Sequence, residues 1–525
     1  MSSPATPTAP GGELQSEAEP RGHDYAASGQ IIIAALQIFI APWVLVWLIA
    51  GSSRTARDAT GVAAVATTGA AVVLASQDQV IGARALLTVA CGVLAMALDH
   101  RPNNQHPSML VSLPTAQLMS IGMYVWIMDT YPGEFPPLWS LCTAATLETA
   151  QWMILGALLA YEAGRWLAWS TGATSSVASS FRRAMDDLAR SEYALQAMIV
   201  VGLAIFGLIL SIRGVGYLAP LLPTSVAGLL GNMEFLYYVA IYAAIAAAIR
   251  RQRNVAFVIG WCLLALAYEL ISGSKGRFAG YILLPAAFVY VVTRKRTHYV
   301  ATSLLVTLGL VSWLVVYPTL IEYRLLLEQD ADSDPVAAMA TANARSTDSY
   351  YDKVMTPLVG SVLAEQSLAI TSAIEFDVRT SAEELPQRLF LFWIPRFLWP
   401  GKPMMLDSNW IGRESRRLSQ SNTTTAVVTT SVAEQYVYLG PWGVLLTALV
   451  GFVTAVLFCG VRFNTRATDI EIGLTTYMSR TLPGLIASSF EGAFTGVLLH
   501  VLVLFVFVVV ARATAPTSRR RTHAT

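Results

Sequence analysis

Apolar runs alternate with short polar connections along most of the chain. They fall at about 30–50, 59–76, 82–99, 113–130 and 137–161 and then, past a polar stretch at 162–193, at about 194–213, 232–250, 255–272, 279–293 and 299–318. A long polar segment covers 319–436, and three further runs lie at about 437–460, 472–489 and 493–511. A run of about 20 apolar residues is long enough to cross the hydrocarbon core of a bilayer as a helix. The pattern therefore predicts an all-α polytopic integral membrane protein of roughly 13 transmembrane helices (12–14) with a large, partly helical extracytoplasmic loop.

Five regions follow from this division. Residues 1–29 are rich in Ser, Pro, Ala, Gly and Glu and lack the basic start and apolar core of a signal peptide, so a disordered tail is expected. Residues 30–318 carry the first set of spans, interrupted at 162–193 by a cytoplasmic segment. Its stretch Phe181–Arg190 can form an amphipathic helix on a membrane surface. Residues 319–436 form the large loop, 437–511 the last spans, and 512–525 a basic cytoplasmic tail.

Composition agrees with the pattern. The 525 residues are 54% hydrophobic and 13% charged, about half the charged fraction of a soluble domain, and the mean hydropathy is +0.53. A net charge of +1 supplies no bulk field for nucleic acid. Cys91, Cys142, Cys262 and Cys459 each sit in an apolar run without metal-like spacing, and no His/Cys cluster accompanies them. The chain has neither a Walker loop nor a glycine-rich dinucleotide fingerprint after a strand. No metal, cofactor or ATP drive is expected.

Charge also orients the chain. The basic connections Arg250–Arg253, Arg294–Arg296 and Val461–Arg466, the tail Arg519–Arg521, and Arg165, Arg182, Arg183 and Arg190 all fall on one side of the predicted spans. By the positive-inside bias that side is the cytoplasm. The loop at 319–436 then faces outward, as does Gly273–Arg277.

Within that loop, acids dominate from 319 to 384, where a solvated cap is expected, and bases from 385 to 436. Arg396 and Lys402 stand among Trp393, Phe397 and Trp399, with Pro395, Pro400 and Pro403 restricting the backbone. Cations among interfacial aromatics meet either ordinary anionic lipid or a bound pyrophosphate. Arg388 and Arg413 belong to the same basic stretch. A second basic turn, Ser272-Gly-Ser-Lys-Gly-Arg277, puts Lys275 and Arg277 on the outer side, where an anionic ligand or Glu269 could compensate them. Arg480 and Glu148 lie at mid-span in their runs. Charge at that depth is costly and marks either an interhelical Arg–Glu pair or a polar cavity for substrate.

The stretch Ile394-Pro-Arg-Phe-Leu-Trp-Pro-Gly-Lys-Pro403 resembles a motif of bacterial oligosaccharide repeat unit polymerases, the Wzy-type O-antigen polymerases. Glu434-Gln-Tyr436 followed by Leu439-Gly-Pro-Trp-Gly443 is similar to the glutamate-tyrosine-glycine segment after it. Ser272–Arg277 resembles their glycine-basic turn, with Lys275 in the usual Arg place. The likeness covers about 270–445. Gly401 stands where many members carry an acid, so no acidic role transfers to it.

The resemblance implies a GT-C-like membrane glycosyltransferase. It would transfer a growing glycan from undecaprenyl pyrophosphate to a lipid-linked repeat unit at the outer face of the bacterial cytoplasmic membrane. Donor and acceptor glycans, membrane lipid and a chain-length regulator protein are the implied partners. Arg396 and Lys402 would bind pyrophosphate, with Lys275, Arg277, Arg388 and Arg413 as further cations neutralising the leaving group. Glu434, with Asp407 second, would take the acceptor proton; a helix-start or packing role for Glu434 competes with this.

Three other functions are weighed against it. An O-antigen-type ligase would resemble its relatives in using a loop histidine, and this loop has none. A transporter or flippase would show inverted repeats with broken helices, and no clear repeat is present. A polyprenyl-monophosphate sugar transferase would place an acidic motif in the first outer loop, where the sequence offers only Asp129 and Glu134.

Overall fold

The computed structural model describes residues 54–98, 109–130, 142–189, 192–211, 233–251, 254–271, 362–383, 408–420, 427–458 and 467–490, with scattered positions at 285–344, 385–386 and 501. Helices make up 88% of them and no strand occurs among them. In chain order these are α1 (Arg54–Ser76), α2 (Val80–Leu98), a 3-10 turn (Met109–Ser112), α3 (Leu113–Thr130), α4 (Ala144–Ser170), α5 (Ala173–Ala189), α6 (Glu192–Ile209), α7 (Glu234–Arg251) and α8 (Val255–Ile271). The later segments give α9 (Val362–Glu375), α10 (Ser408–Glu414), α11 (Ser431–Leu439), a second 3-10 turn (Gly440–Leu445), α12 (Leu446–Phe458) and α13 (Asp469–Ala487).

The helices form one bundle. α1 and α2 make a hairpin, α2 and α3 pack on α4, α4 packs on α12, and α7 lies between α6 and α13. From Phe235 to Ala246 every residue of α7 is buried. A helix apolar on all sides belongs at the centre of such a bundle. Close approach needs glycine at the α4–α12 crossing. A Cβ on Gly164 would lie 1.9 Å from the Ala448 carbonyl oxygen, and one on Gly451 2.1 Å from that of Tyr161.

Helix starts follow local chemistry. Thr143, Thr430 and Thr468 are extended N-caps whose hydroxyls accept N–H groups of the first turn. At α13 Thr468 and Glu471 complete a capping box. Arg250 and Arg251, in the last turn of α7, both pair with Asp469 in the first turn of α13, so each charge suits its helix end.

α4 corrects two expectations. The hydropathy run at 137–161 centres on Glu148, but the helix starts at Ala144 and continues to Ser170. Glu148 therefore sits in the second turn rather than at mid-helix. Its ion partner is Arg84 of α2, at 2.9 Å, not Arg480. Arg165, expected in a polar cytoplasmic segment, is instead fully buried within α4. Glu162 makes this tolerable, because one Arg165 nitrogen reaches its two oxygens at 2.9 and 2.8 Å. Trp169 and Tyr161 flank the guanidinium, and Thr115 donates to the same carboxylate.

The polar segment at 319–436 differs from a solvated cap where it is described. α9 packs against α3, α4 and α11, and Gln366, Ser367, Thr371 and Ser372 are buried. Gln117 donates to Gln366, Gln366 donates to the Ala487 carbonyl, and Ser367 donates to that of Ile121. Hydrogen bonds from the helix's own polar face thus carry it into the bundle.

One described stretch, Ser431–Phe458, is long and apolar enough to cross a membrane by length and composition. Shorter apolar helices run over Ala64–Ser76, Val80–Met96, Tyr193–Ile209 and Val255–Tyr268. Ser431–Phe458 is not one straight rod. Thr447 Oγ1 donates to Gln435 Oε1 at 2.8 Å, whereas 12 residues of straight helix would separate them by about 18 Å. Gly440, at φ 65, ends α11 and starts the reversal. A Cβ on Gly443 would lie 2.1 Å from the Gln435 carbonyl oxygen, so the returning chain presses on α11 there. α11 and α12 are separate helices joined by a 3-10 turn that folds back on α11.

Candidate functional site

Helix α11 carries Glu434, Gln435 and Tyr436, and all three are buried. Its starting end is held by Thr430 and Ser431; the Ser431 hydroxyl donates to the Leu485 carbonyl. Glu434 Oε2 accepts the Phe490 N–H at 2.6 Å. This is a packing role, linking α11 to the chain that follows α13, and it engages one of the two carboxylate oxygens. Gln435 Oε1 accepts from Thr447, while its Nε2 is buried with no hydrogen-bond partner among the described residues.

The far end of α11 is held by Asp377, Arg379 and Thr380. Arg379 Nε donates to Asp377 Oδ1 at 2.8 Å, and its Nη1 donates to the Tyr436 carbonyl at 2.8 Å. The guanidinium lies 3.9 Å from the Tyr436 ring centroid. Tyr436 Oη donates to Asp377 Oδ1 at 3.2 Å, and the Thr380 N–H donates to the Val437 carbonyl. Arg379 beside it holds the Asp377 carboxyl below its usual range. Burial raises the Tyr436 hydroxyl.

α9 ends nearby. Burial alone would raise the Glu375 carboxyl, but it accepts the Thr143 N–H and the hydroxyls of Thr146 and Thr143, and the net shift is downward. Glu375 thereby caps the start of α4 from another helix.

α10 and the turn after it bring three arginines to the same segment. Arg413 is half-buried on α10, and its side chain makes no hydrogen bond or ion pair among the described residues. Arg416, at φ 56, lays its guanidinium 4.7 Å from the Phe376 ring centroid. Arg417 points the other way along α9 and donates to the carbonyls of Val428 and Glu365 at 2.6 and 3.5 Å. Burial pushes Arg417 down to about 10, and the nearby Glu365 charge opposes that shift. No carboxylate among the described residues lies within ion-pair distance of Arg413, Arg416 or Arg417. Arg416 and Arg417 reach α9 near its opposite ends, about 16 Å apart along a helix, so they are separate cations, one held by a ring and the other by carbonyls.

Of the residues singled out from sequence, Glu434, Arg413 and Glu148 are placed. The structure brings Glu434 and Arg413 to the one assembly built on α9–α11, while Glu148 lies apart on α4 with Arg84. Arg480 lies in α13, with its side chain outside the described residues. Asp407, Arg396, Lys402, Lys275, Arg277 and Arg388 also lie outside them. Sequence reasoning missed the grouping of Asp377, Arg379 and Tyr436. The only trace was that Arg379 is among the few cations in the acid-rich half of the segment. Among the described residues no group of three or more His, Cys, Asp and Glu side chains could hold a metal ion. No family model, curated protein or solved structure matches the chain.

Proposed function

We propose that the chain is a polytopic membrane protein of roughly 13 spans with the 319–436 segment on the extracytoplasmic side. It acts there as a metal-independent glycosyltransferase that polymerises lipid-linked oligosaccharide repeat units. A growing glycan leaves undecaprenyl pyrophosphate and is joined to the next repeat unit on its own carrier lipid.

The observation that carries this is the folding of a polar segment into an apolar-jacketed bundle beside cations that have no carboxylate within ion-pair distance among the described residues. The exterior exposes Trp152, Leu159, Trp166, Leu263, Leu264 and Trp442, whereas Gln151, Arg165, Gln366, Thr371, Glu434 and Gln435 are inside. Soluble monomers rarely expose so much large apolar surface, and a bilayer would cover it. Arg413, Arg416 and Arg417 add positive charge to the segment proposed to meet a pyrophosphate leaving group. Glu434, which accepts the Phe490 N–H, is the group proposed to receive the acceptor proton. The Pro395–Pro403 motif and the Lys275–Arg277 turn would add further phosphate contacts.

The test is the surface polysaccharide and the extracted lipid-linked glycans of a strain lacking the protein. Loss of the long ladder with single repeat units accumulating on the carrier is the expected result. Long polymer retained on the carrier would instead identify a ligase, and an unchanged profile would remove both activities.

A further inference from the structure

We propose that Asp377 is a positioning residue that sets the helix carrying Glu434 through Arg379 and Tyr436; this rests on the polymerase proposal above. Backbone geometry at Asp377 is the first support. α9 ends in a two-bond C-cap, with the Val378 N–H on the Ala373 carbonyl and the Asp377 N–H on that of Ile374. The residue between these bonds must be left-handed, and Asp377 has φ 43. Glycine adopts that conformation without strain and is the common choice. An aspartate there is less favourable for the backbone, so its carboxylate must act elsewhere.

The contacts show where. Asp377 Oδ1 receives both Arg379 Nε and Tyr436 Oη. Arg379 in turn covers the Tyr436 ring and donates to its carbonyl. Gly440 leaves the room this needs, since a Cβ there would lie 2.4 Å from Arg379 Nη1. Tyr436 is two residues from Glu434 on a helix of nine residues. A short helix takes its orientation from what holds its two ends. One end is held by Thr430, Ser431 and Phe490, and the other by this clamp. Rotating α11 about its axis would move the Glu434 side chain away from the reacting sugar, so clamp loss slows transfer more than it weakens binding.

Asp377→Gly separates this role from a merely structural one. It removes the carboxylate while easing the left-handed cap. Membranes bearing the variant, in a strain lacking the native protein, are expected to show an unchanged or higher melting temperature with at least a tenfold loss of polymerisation rate. Half-saturation by lipid-linked repeat unit should not change. Hydrogen exchange over 431–439 of the purified full chain should quicken. Asp377→Asn, which keeps an acceptor oxygen, should recover part of the rate. Full activity in Asp377→Gly, or activity falling in step with melting temperature, overturns the positioning role while leaving the polymerase intact. If the native protein shows no polymerase activity, that activity falls. Exchange over 431–439 then still decides the clamp, because an unchanged rate in Asp377→Gly would remove it.

Discussion

Arg165 and Arg417 are both removed from water, and they are satisfied in opposite ways. Arg165, inside α4, has the Glu162 carboxylate and the rings of Trp169 and Tyr161. Its charge is cancelled where it stands. Arg417 has two backbone carbonyls, which satisfy its N–H groups without supplying a negative charge. The first arrangement closes a site. The second leaves the charge offset, among the described residues, only by Glu365 nearby, outside ion-pair distance, in the segment that also carries Arg413, Arg416 and Glu434. Burial of a charge therefore does not by itself mark function; what pairs with it does.

The largest effect is expected where pairing is complete. Arg165→Met leaves the mostly enclosed Glu162, 17% exposed, without its cation, a loss of about 3 kcal/mol. Little folded protein should survive detergent extraction, read by size-exclusion chromatography. Adding Glu162→Gln should recover most of the yield, because the uncompensated charge is gone. If the single variant behaves as native, the contrast with Arg417 collapses.

Arg417→Gln should behave differently. Two hydrogen bonds to carbonyls are weakened, a cost of about 1–3 kcal/mol, but no carboxylate is stranded. The protein should fold, with a lower melting temperature, and lose most of its activity. Arg417 sits near 10 rather than at its ordinary value, so its folded-state charge is lost at lower pH than in the unfolded chain. That burial penalty is therefore present below about pH 10 and eased above it. Between pH 5 and 9 the cation is constant, and pyrophosphate affinity should show no step attributable to Arg417.

Much of the bundle was legible in the sequence. The runs at 113–130, 232–250, 255–272 and 472–489 match α3, α7, α8 and α13 to within a few residues, because an apolar helix buried or jacketed by apolar matter must itself be apolar. α9 was not legible. Its burial rests on Gln366, Ser367 and Thr371 finding partners, and hydrogen-bond partners far apart in sequence leave no periodic trace. Leu363, Ile370 and Ile374 do recur at helical spacing, a signal masked by the acids around them. The break at Gly440 escaped for another reason. Gly440-Pro441 is a turn signal inside a run whose mean hydropathy reads as one continuous span.

Glu434 sits between the two kinds of site, so its variants sharpen the contrast. Glu434→Gln keeps an oxygen for the Phe490 N–H and should change stability by less than about 1 kcal/mol. If Glu434 accepts the substrate proton, the rate should nonetheless fall about 100-fold or more. Glu434→Ala should lose both rate and stability, since the buried Phe490 N–H then lacks its acceptor. Equal activity in native and Gln proteins would reduce Glu434 to packing. On the acid side, Asp377 is held below its ordinary range by Arg379. Its contribution is present above the unfolded carboxylate value and lost as pH falls through the lowered folded one. Protection of 431–439 against hydrogen exchange should therefore persist below pH 4 (the ordinary aspartate value is about 3.9) and fade only beneath that.

The smallest effect is expected at Arg84–Glu148. Its separation of 2.9 Å equals one of the Arg165–Glu162 contacts, and the chemistry is the same. Only burial differs, with 41% of the Glu148 side chain exposed. Arg84 also rests on Trp152, an exposed tryptophan of the kind that sits at a membrane interface. The exposed Glu148 carboxylate can be solvated when its partner is removed. Glu148→Gln should shift stability by less than about 1 kcal/mol, and salt should shrink even that difference. A loss as large as that of Arg165→Met would place Glu148 in a dry environment and make it a closed pair like Arg165–Glu162. A loss of activity with stability intact would instead move Glu148 into the class of Arg417.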